Sequence, residues 1–299
     1  MKYNDTKITL KNFLDTTHIH ETKIKSENIS IPSSIIKWTG SKRAFSRIIN
    51  NYFPEHFNSY YEPFLGGGSI LYTVDTNKKR LASDIYEPLI ELWKIIRDNP
   101  LQLVLDYAKR WNMLQENFPD YYYIVRNEYN NNKDPLRLNF LMRTCVNGIA
   151  RFNSKGEFNN SFHLSRKGMK PERFKRIVFE WYRKLQGVNF IAGDYRIILK
   201  TVKDSDFVYL DPPYFGNKDR YINSGFDFNE FINFLRTLNE HSVKWAVSLD
   251  GSRGEKDYSN PLPDDLYKHK YSLSIGTSAV GKVLNGKSEK VMEMFYLNY

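Results

Sequence analysis

A single cysteine, Cys145, stands in 299 residues, which excludes an internal disulfide and any multi-cysteine zinc site. No run of about eighteen apolar residues occurs, so no ordinary membrane-spanning helix is expected. The opening "MKYNDTKITLKNFLDTTHIHETKIK" lacks the apolar centre of a signal peptide. No G-x-x-x-x-G-K-S/T loop is present, which removes the usual cradle for a nucleoside triphosphate. No ligand cluster marks a metal site, and no metal is expected. Internal repeats and low-complexity tracts are missing too. Together these absences fit a cytosolic globular protein, long enough for one large domain or for a core domain carrying an inserted module.

Acids are the scarcer charge, 34 against 44 Lys and Arg, for a net charge of +10. The excess is concentrated. Between Arg151 and Lys184 there are ten Lys or Arg and three Glu, the electrostatic footprint of a polyanion binder, although a solvated basic helix would look the same.

Residues 1–34 show no period and read as an N-terminal extension. "NSYYEPF" (58–64) and "KKRLASD" (78–84) read as short strands, and "EPLIELWKIIRDN" (87–99) as a helix with apolar residues at three- and four-residue steps. From 100 to 186 the pattern turns helical. "LQLVLDYAKRWNML", "PDYYYIVRNEYN", "DPLRLNFLMRTCV" and "PERFKRIVFEWYRKLQ" all read as helices, with a long polar stretch (147–170) between the last two. Strand patterns return at 188–194, 206–211, 243–250, 267–276 and 289–299, with one helix at 229–242. This alternation predicts a parallel, doubly wound α/β sheet, ending in an antiparallel hairpin because the last two strands leave no room for a crossover helix.

Three constellations carry chemistry. In "EPFLGGGS" (62–69) the glycines at 66, 67 and 68 allow a sharp turn and close backbone approach to a ligand. Asp84, at the end of the second strand, stands where an acid commonly binds ribose hydroxyls, so an adenosine-containing ligand is expected. A plain turn and a surface acid are the bland alternatives. The spacing departs from G-x-G-x-x-G, which argues against a dinucleotide. "DFVYLDPPYFG" (206–216) runs an apolar strand into Asp211, Pro212, Pro213 and Tyr214. Each proline bars helical geometry from the residue before it, so the Asp211 carboxylate and the Pro212 carbonyl are held as two stiff acceptors beside a flat ring. That set suits an amino group on a planar heterocycle, with Tyr214 available to stack on it. In "IIKWTGSKR" (35–43) Trp38 offers a stacking face, Gly40 close approach, and Lys42 or Arg43 a cation.

"KWTGSKR", "EPFLGGGS", "LASDI" and "DPPY", in this order, resemble the Dam-type (alpha-class) adenine-specific DNA methyltransferases, closest in pattern to a modification methylase of a restriction system. The likeness runs from about Ile35 to Gly225. It implies an α/β fold of the Rossmann-like, S-adenosylmethionine-dependent methyltransferase type, with catalytic segments 35–99 and 187–299 and an inserted helical DNA-recognition domain at 100–186. It implies that Trp38, Gly40, Lys42, Phe64, Gly66, Gly68, Asp84 and Asp194 hold the cofactor, together with Asp211. It further implies that Asp211, Pro212, Pro213 and Tyr214 hold the target base, and that Asn147, Arg151, Asn153 and Lys155 meet double-stranded DNA. One departure is Asn159–Asn160–Ser161–Phe162, where the family often shows Asn-Val-Pro-Phe. The stretch 248–265 matches nothing familiar and is assigned no role.

The expected reaction is methyl transfer to the 6-amino group of an adenine flipped out of duplex DNA, since neither Asp211 nor the donor can reach it inside the helix. A monomer suffices for one strand at a time, and a cognate restriction endonuclease is a compatible partner. Methylation of the cytosine amino group uses the same electronics and stays open, as do a catalytically silent DNA-binding module and a nucleotide-dependent oxidoreductase. Methylation of the cytosine ring carbon needs a Pro-Cys nucleophile, and Cys145 sits between Thr144 and Val146.

Overall fold

The computed structural model describes residues 33–43, 45–213, 226–253, 256–277 and 290–299. A short helix α1 (Ser46–Asn50) precedes strands β1 (Ser59–Glu62) and β2 (Lys79–Asp84). Five helices follow: α2 (Glu87–Asp98), α3 (Pro100–Glu116), α4 (Asp120–Asn132), α5 (Pro135–Thr144) and α6 (Pro171–Leu185). Then come β3 (Val188–Ala192), β4 (Phe207–Leu210), α7 (Phe228–Glu240), β5 (Lys244–Arg253), β6 (Lys256–Asp257), β7 (His269–Thr277) and β8 (Lys290–Leu297).

The sheet runs β3-β2-β1-β4-β5-β8-β7, with β6 paired to β5. Pairing is parallel from β3 to β5 and antiparallel at β5–β8 and β7–β8, so the expected doubly wound sheet and closing hairpin are present. The strand expected to end at Asp250 runs on to Arg253, because β8 and the short β6 pair with its extension through a register shift. The chain winds outward from β1 through β2 to β3, then returns to lay β4 against the other side of β1. The carboxyl ends of β1 and β4 therefore form a topological switch point, where open α/β sheets bind ligands.

Strand alternation sorts the core into two faces. Tyr60, Phe207, Tyr209, Ala246 and Phe295 pack with the helices that follow β2. Tyr61, Val208, Leu210, Trp245 and Val247 pack against α7 through Phe231, Phe234, Leu235 and Leu238. Helix α6 shows why a strongly basic segment still folds. Phe174, Ile177, Val178, Trp181 and Leu185 make one buried stripe, and Arg173, Lys175, Arg176 and Arg183 stay exposed. Helix α5 starts at Asp134, whose carboxylate accepts the Arg137 N–H at 2.8 Å. The segment before the sheet is clamped by these helices: the Trp181 indole donates to the Ser33 carbonyl at 2.8 Å and Arg143 donates to the carbonyls of Ser34 and Ile35. No helix among the described residues is long and apolar enough to cross a membrane.

Candidate active site

A cavity of about 320 Å³ opens at the switch point and is lined by residues from all three constellations. The glycine loop forms its floor. Gly66 and Gly68 have φ of +46° and +63°, in the left-handed region that favours glycine. A Cβ on Gly66 would lie 2.9 Å from the Trp38 ring, and one on Gly68 would lie 2.8 Å from the ring of the fully buried Trp93. Side chains are thus kept out of the loop by both backbone and packing. The loop is tied to β2, since the Gly66 N–H donates to one Asp84 carboxylate oxygen at 3.0 Å and the Tyr86 N–H to the other at 3.0 Å. Burial pushes the Asp84 pKa up while these backbone N–H groups hold it down. Asp84 therefore organises the loop as well as facing the cavity.

Aromatic rings make the walls. Trp38 stacks on Tyr86 at 6.0 Å, and Phe64 on Tyr195 at 5.1 Å. The Thr39 hydroxyl and the Tyr195 hydroxyl, both on residues of this wall, are buried without a partner. At the rim, Asp194 accepts from the Arg196 N–H at 2.9 Å and pairs with its guanidinium at 2.7 Å, while Arg196 reaches Glu230 at 2.8 Å. Gly40 also lines the cavity, with φ of +78°.

The fourth side is a buried acid cluster. Asp211 follows β4 and pairs with the Lys42 ammonium at 2.9 Å, which also contacts Glu293 at 3.1 Å. Lys42 is 4 % exposed. Burial raises the Asp211 pKa to about 6; Lys42 opposes the rise, and Glu293 and Asp250 add to it. Glu62, at the end of β1, accepts from the Tyr60 hydroxyl at 2.7 Å, and burial lifts its pKa to about 8. Pro213 lines the cavity and Pro212 is buried behind it. Tyr214 lies outside the described residues.

The residues expected to meet DNA lie around a small hairpin. Phe152 bridges Phe158, and Phe152 also lines the cavity and packs edge-on to Tyr86 at 5.3 Å. Arg151 and Lys155 are exposed on this hairpin, and Asn147, also exposed with φ of +57°, precedes it. Asn153 is spent on the turn itself: its carbonyl oxygen accepts the N–H groups of Lys155 and Glu157 at 3.0 Å, and its amide donates to the Glu157 carboxylate at 2.8 Å. Asn160, where the resembled pattern has valine, donates to the carbonyls of Val146 and Ile149 at 3.0 and 2.8 Å and so ties the loop to the end of α5. Much of the basic excess gathers in a cleft of about 880 Å³, lined by Lys37, Arg143, Arg166, Lys170, Arg173 and Arg176 among others. Lys37 precedes Trp38 in the chain, so this cleft adjoins the cavity. Cys145 is free, and burial pushes its pKa up to about 12, which leaves no thiolate for nucleophilic attack.

Sequence reasoning missed Glu62, Tyr86, Arg196, Glu230, Asp250 and Glu293. Strand parity could have found three of them. Glu62, Asp250 and Glu293 occupy the same alternation as the inward-facing Tyr60, Ala246 and Phe295.

Residues 38–278 match the family described as D12 class N6 adenine-specific DNA methyltransferase. A DNA adenine methylase of Serratia marcescens is 31% identical over 246 residues, spanning 79% of this chain and 87% of that one. A Type II methyltransferase of Lactococcus lactis subsp. cremoris is 27% identical over 279 residues, 88% and 94% of the respective chains. Another Type II methyltransferase, from Methanocaldococcus jannaschii, is 27% identical over 297 residues, 88% and 98% of the two.

Proposed function

The chain belongs to the D12 class N6 adenine-specific DNA methyltransferases, and on that premise we propose that its methyl donor is S-adenosylmethionine and that the adenine is extruded from duplex DNA to meet Asp211. Membership closes the choice between adenine and cytosine that the residues alone left open. The observation that carries the proposal is the shared cavity: the glycine loop and the Asp211 turn face one another across it.

The cavity suits this donor. It has a floor where no Cβ is tolerated, two stacked aromatic walls, and buried hydroxyls of Thr39 and Tyr195 awaiting a partner. In this reading Trp38, Gly40, Phe64, Gly66, Gly68, Asp84 and Asp194 hold it, and the acids at the far side favour a cationic sulfonium. Bound there, the donor supplies an electrophilic methyl group: the carbon–sulfur bond breaks as the carbon–nitrogen bond forms, and sulfur keeps the electron pair. Asp211 accepts one N–H of the adenine amino group and so localises the nitrogen lone pair. The Pro212 carbonyl takes the second N–H. After attack the nitrogen carries a surplus proton, and the Asp211 carboxylate receives it. Lys42 steadies that carboxylate rather than only bordering the donor. Segment 100–186 provides target recognition, with Arg151 reading a base edge and the basic cleft carrying phosphates. The Lactococcus and Methanocaldococcus relatives are Type II methyltransferases, which supports a place for this chain in a Type II restriction–modification system, alongside a cognate endonuclease.

Incubation with tritiated S-adenosylmethionine and plasmid DNA free of methyladenine, followed by digestion to nucleosides, tests the assignment. Label is expected in N6-methyl-2′-deoxyadenosine alone. The kcat/KM for transfer is expected to rise as pH increases through about 6, where Asp211 gives up its proton and becomes an acceptor. A flat profile between pH 5 and 8 would remove Asp211 from that role. Arg151→Ala is expected to reduce discrimination between sites about tenfold or more without changing the salt dependence of binding. Equal weakening on all sequences would make Arg151 a phosphate contact instead.

A further inference from the structure

We propose that Glu293, six residues from the end of the chain, is a positioning residue for methyl transfer: it draws the Lys42 ammonium to its own side and so keeps the Asp211 carboxylate open to the adenine amino group. The proposal rests on the reading of Asp211 as the acceptor given above. It goes beyond the family match, which ends at residue 278.

The argument begins with strand parity. Side chains two residues apart share a face of a sheet. Glu62 on β1, Asp211 after β4, Asp250 on β5 and Glu293 on β8 all keep step with residues of one core face: Tyr60, Tyr209, Ala246 and Phe295. The β5–β8 register sets Asp250 directly opposite Glu293, an arrangement of like charges that weakens a sheet unless a cation or a proton intervenes. On the Glu293 side a cation is present, Lys42. Its ammonium lies 2.9 Å from Asp211 and 3.1 Å from Glu293, and both Lys42 and Glu293 are buried.

A lysine beside one buried carboxylate would be a hindrance to catalysis. It would occupy the acceptor that the adenine N–H needs and hold down its basicity. With a second carboxylate on its other flank, the same ammonium divides its three donors and its field. Asp211 is then anchored without being consumed. The groups facing Asp211 among the described residues are Lys42 from the loop before α1, Glu62 from β1, Tyr209 from β4, Asp250 from β5 and Glu293 from β8. Of these, Glu293 and Asp211 are the two acids in contact with Lys42.

The position of Glu293 is also fixed by the backbone. A Cβ placed on Gly251 would lie 2.5 Å from the Met292 carbonyl oxygen, so β5 packs closely on β8 beside this residue. Glu293 is therefore held on a rigid pair of strands rather than on a loop, as a group that sets the geometry of another must be.

Glu293→Gln in the full-length protein tests the proposal, because it keeps the shape and removes the charge. Lys42 then turns wholly to Asp211. The single-turnover rate at its pH plateau is expected to fall about tenfold or more, and its acid limb is expected to move to lower pH by about one unit, because Asp211 has lost a neighbouring negative charge. In thermal melts of the protein alone, the loss of stability on going from pH 5 to pH 7 is expected to flatten, a readout independent of turnover. In an Asp211→Asn background the substitution is expected to add little, since an amide does not draw the ammonium in the same way. An unmoved acid limb with a rate within twofold of the parent, or a limb displaced to higher pH, would overturn the proposal. If Glu293→Gln folds poorly, Glu293→Asp keeps the charge, and a limb at the parental pH is expected; a downward shift there would count against the proposal. Retained transfer by Asp211→Ala would instead remove the reading of Asp211 itself, so the two failures are told apart.

Discussion

Replacing Asp211 by alanine is expected to slow the single-turnover transfer of methyl to adenine by about a thousandfold or more while leaving the protein folded. Removal of a positioned acid–base group costs about 10²–10⁴ in rate, and here the same carboxylate also organises the nucleophile's lone pair. The fold survives because the substitution does not strand a buried cation: Lys42 keeps Glu293 at 3.1 Å. Asp211→Asn separates the two contributions, since it keeps an acceptor oxygen and loses the charge; its rate is expected to lie between those of alanine and the parent. Rapid-quench measurement with labelled donor and saturating DNA reads both variants. A rate for Asp211→Ala within tenfold of the parent would end the assignment of this residue.

Lys42→Met is expected to be the most destabilising single change in the site, and to be so in a pH-dependent way. Removing one partner of a buried ionic group costs about 3–5 kcal/mol because the remaining charge is left uncompensated. In this protein two carboxylates, Asp211 and Glu293, lose the ammonium they share at once. The sign with pH follows from the direction of the shifts. Asp211 and Glu62 have folded-state pKa values of about 6 and about 8, above their ordinary ranges. The folded protein thus holds protons that the unfolded chain would release, and stability falls as pH rises through that window. Without Lys42 the Asp211 pKa goes higher still. Urea denaturation is therefore expected to show the full loss at pH 8 and a much smaller one at pH 5, where Asp211 is protonated. A loss equal at both pH values would mean that Lys42 matters through packing of its stem alone.

The regular elements were legible because their periods were clean. "FVYL" and "VKWAVSLD" are buried strand patterns, and α6 announces itself by apolar residues at three- and four-residue steps beneath five cations. The glycine loop and the Asp211 turn were legible because glycine and proline restrict the backbone in ways that few contexts demand. Less was readable where function depends on pairing between distant strands. Nothing in "EKVMEMFYLNY" says which strand β8 will join, and only the β5–β8 register brings Glu293 to Asp250 and Lys42. Lys42 was expected to border the cofactor; it lines the cavity with Trp38 and Gly40, and its long stem also carries the charge to Asp211, a pairing no local pattern announces. Asn153 and Lys155 read alike as polar loop residues. The turn distinguishes them, using the asparagine amide internally and leaving the lysine exposed. The short α1 and the two-residue β6 have too few residues for any period to register.

The clamp on residues 33–35 has a consequence for how such enzymes could trade specificities. Strands β2 and β3 are neighbours, so the helices between them look like a cassette for recombination to lift out at two breakpoints. The indole of Trp181 and the guanidinium of Arg143 contradict that simplicity, because both grip backbone carbonyls from a segment preceding β1. A transplanted cassette with a different residue at either position would leave those carbonyls buried and unanswered. A viable chimaera must therefore inherit its leading segment and its helices from the same parent.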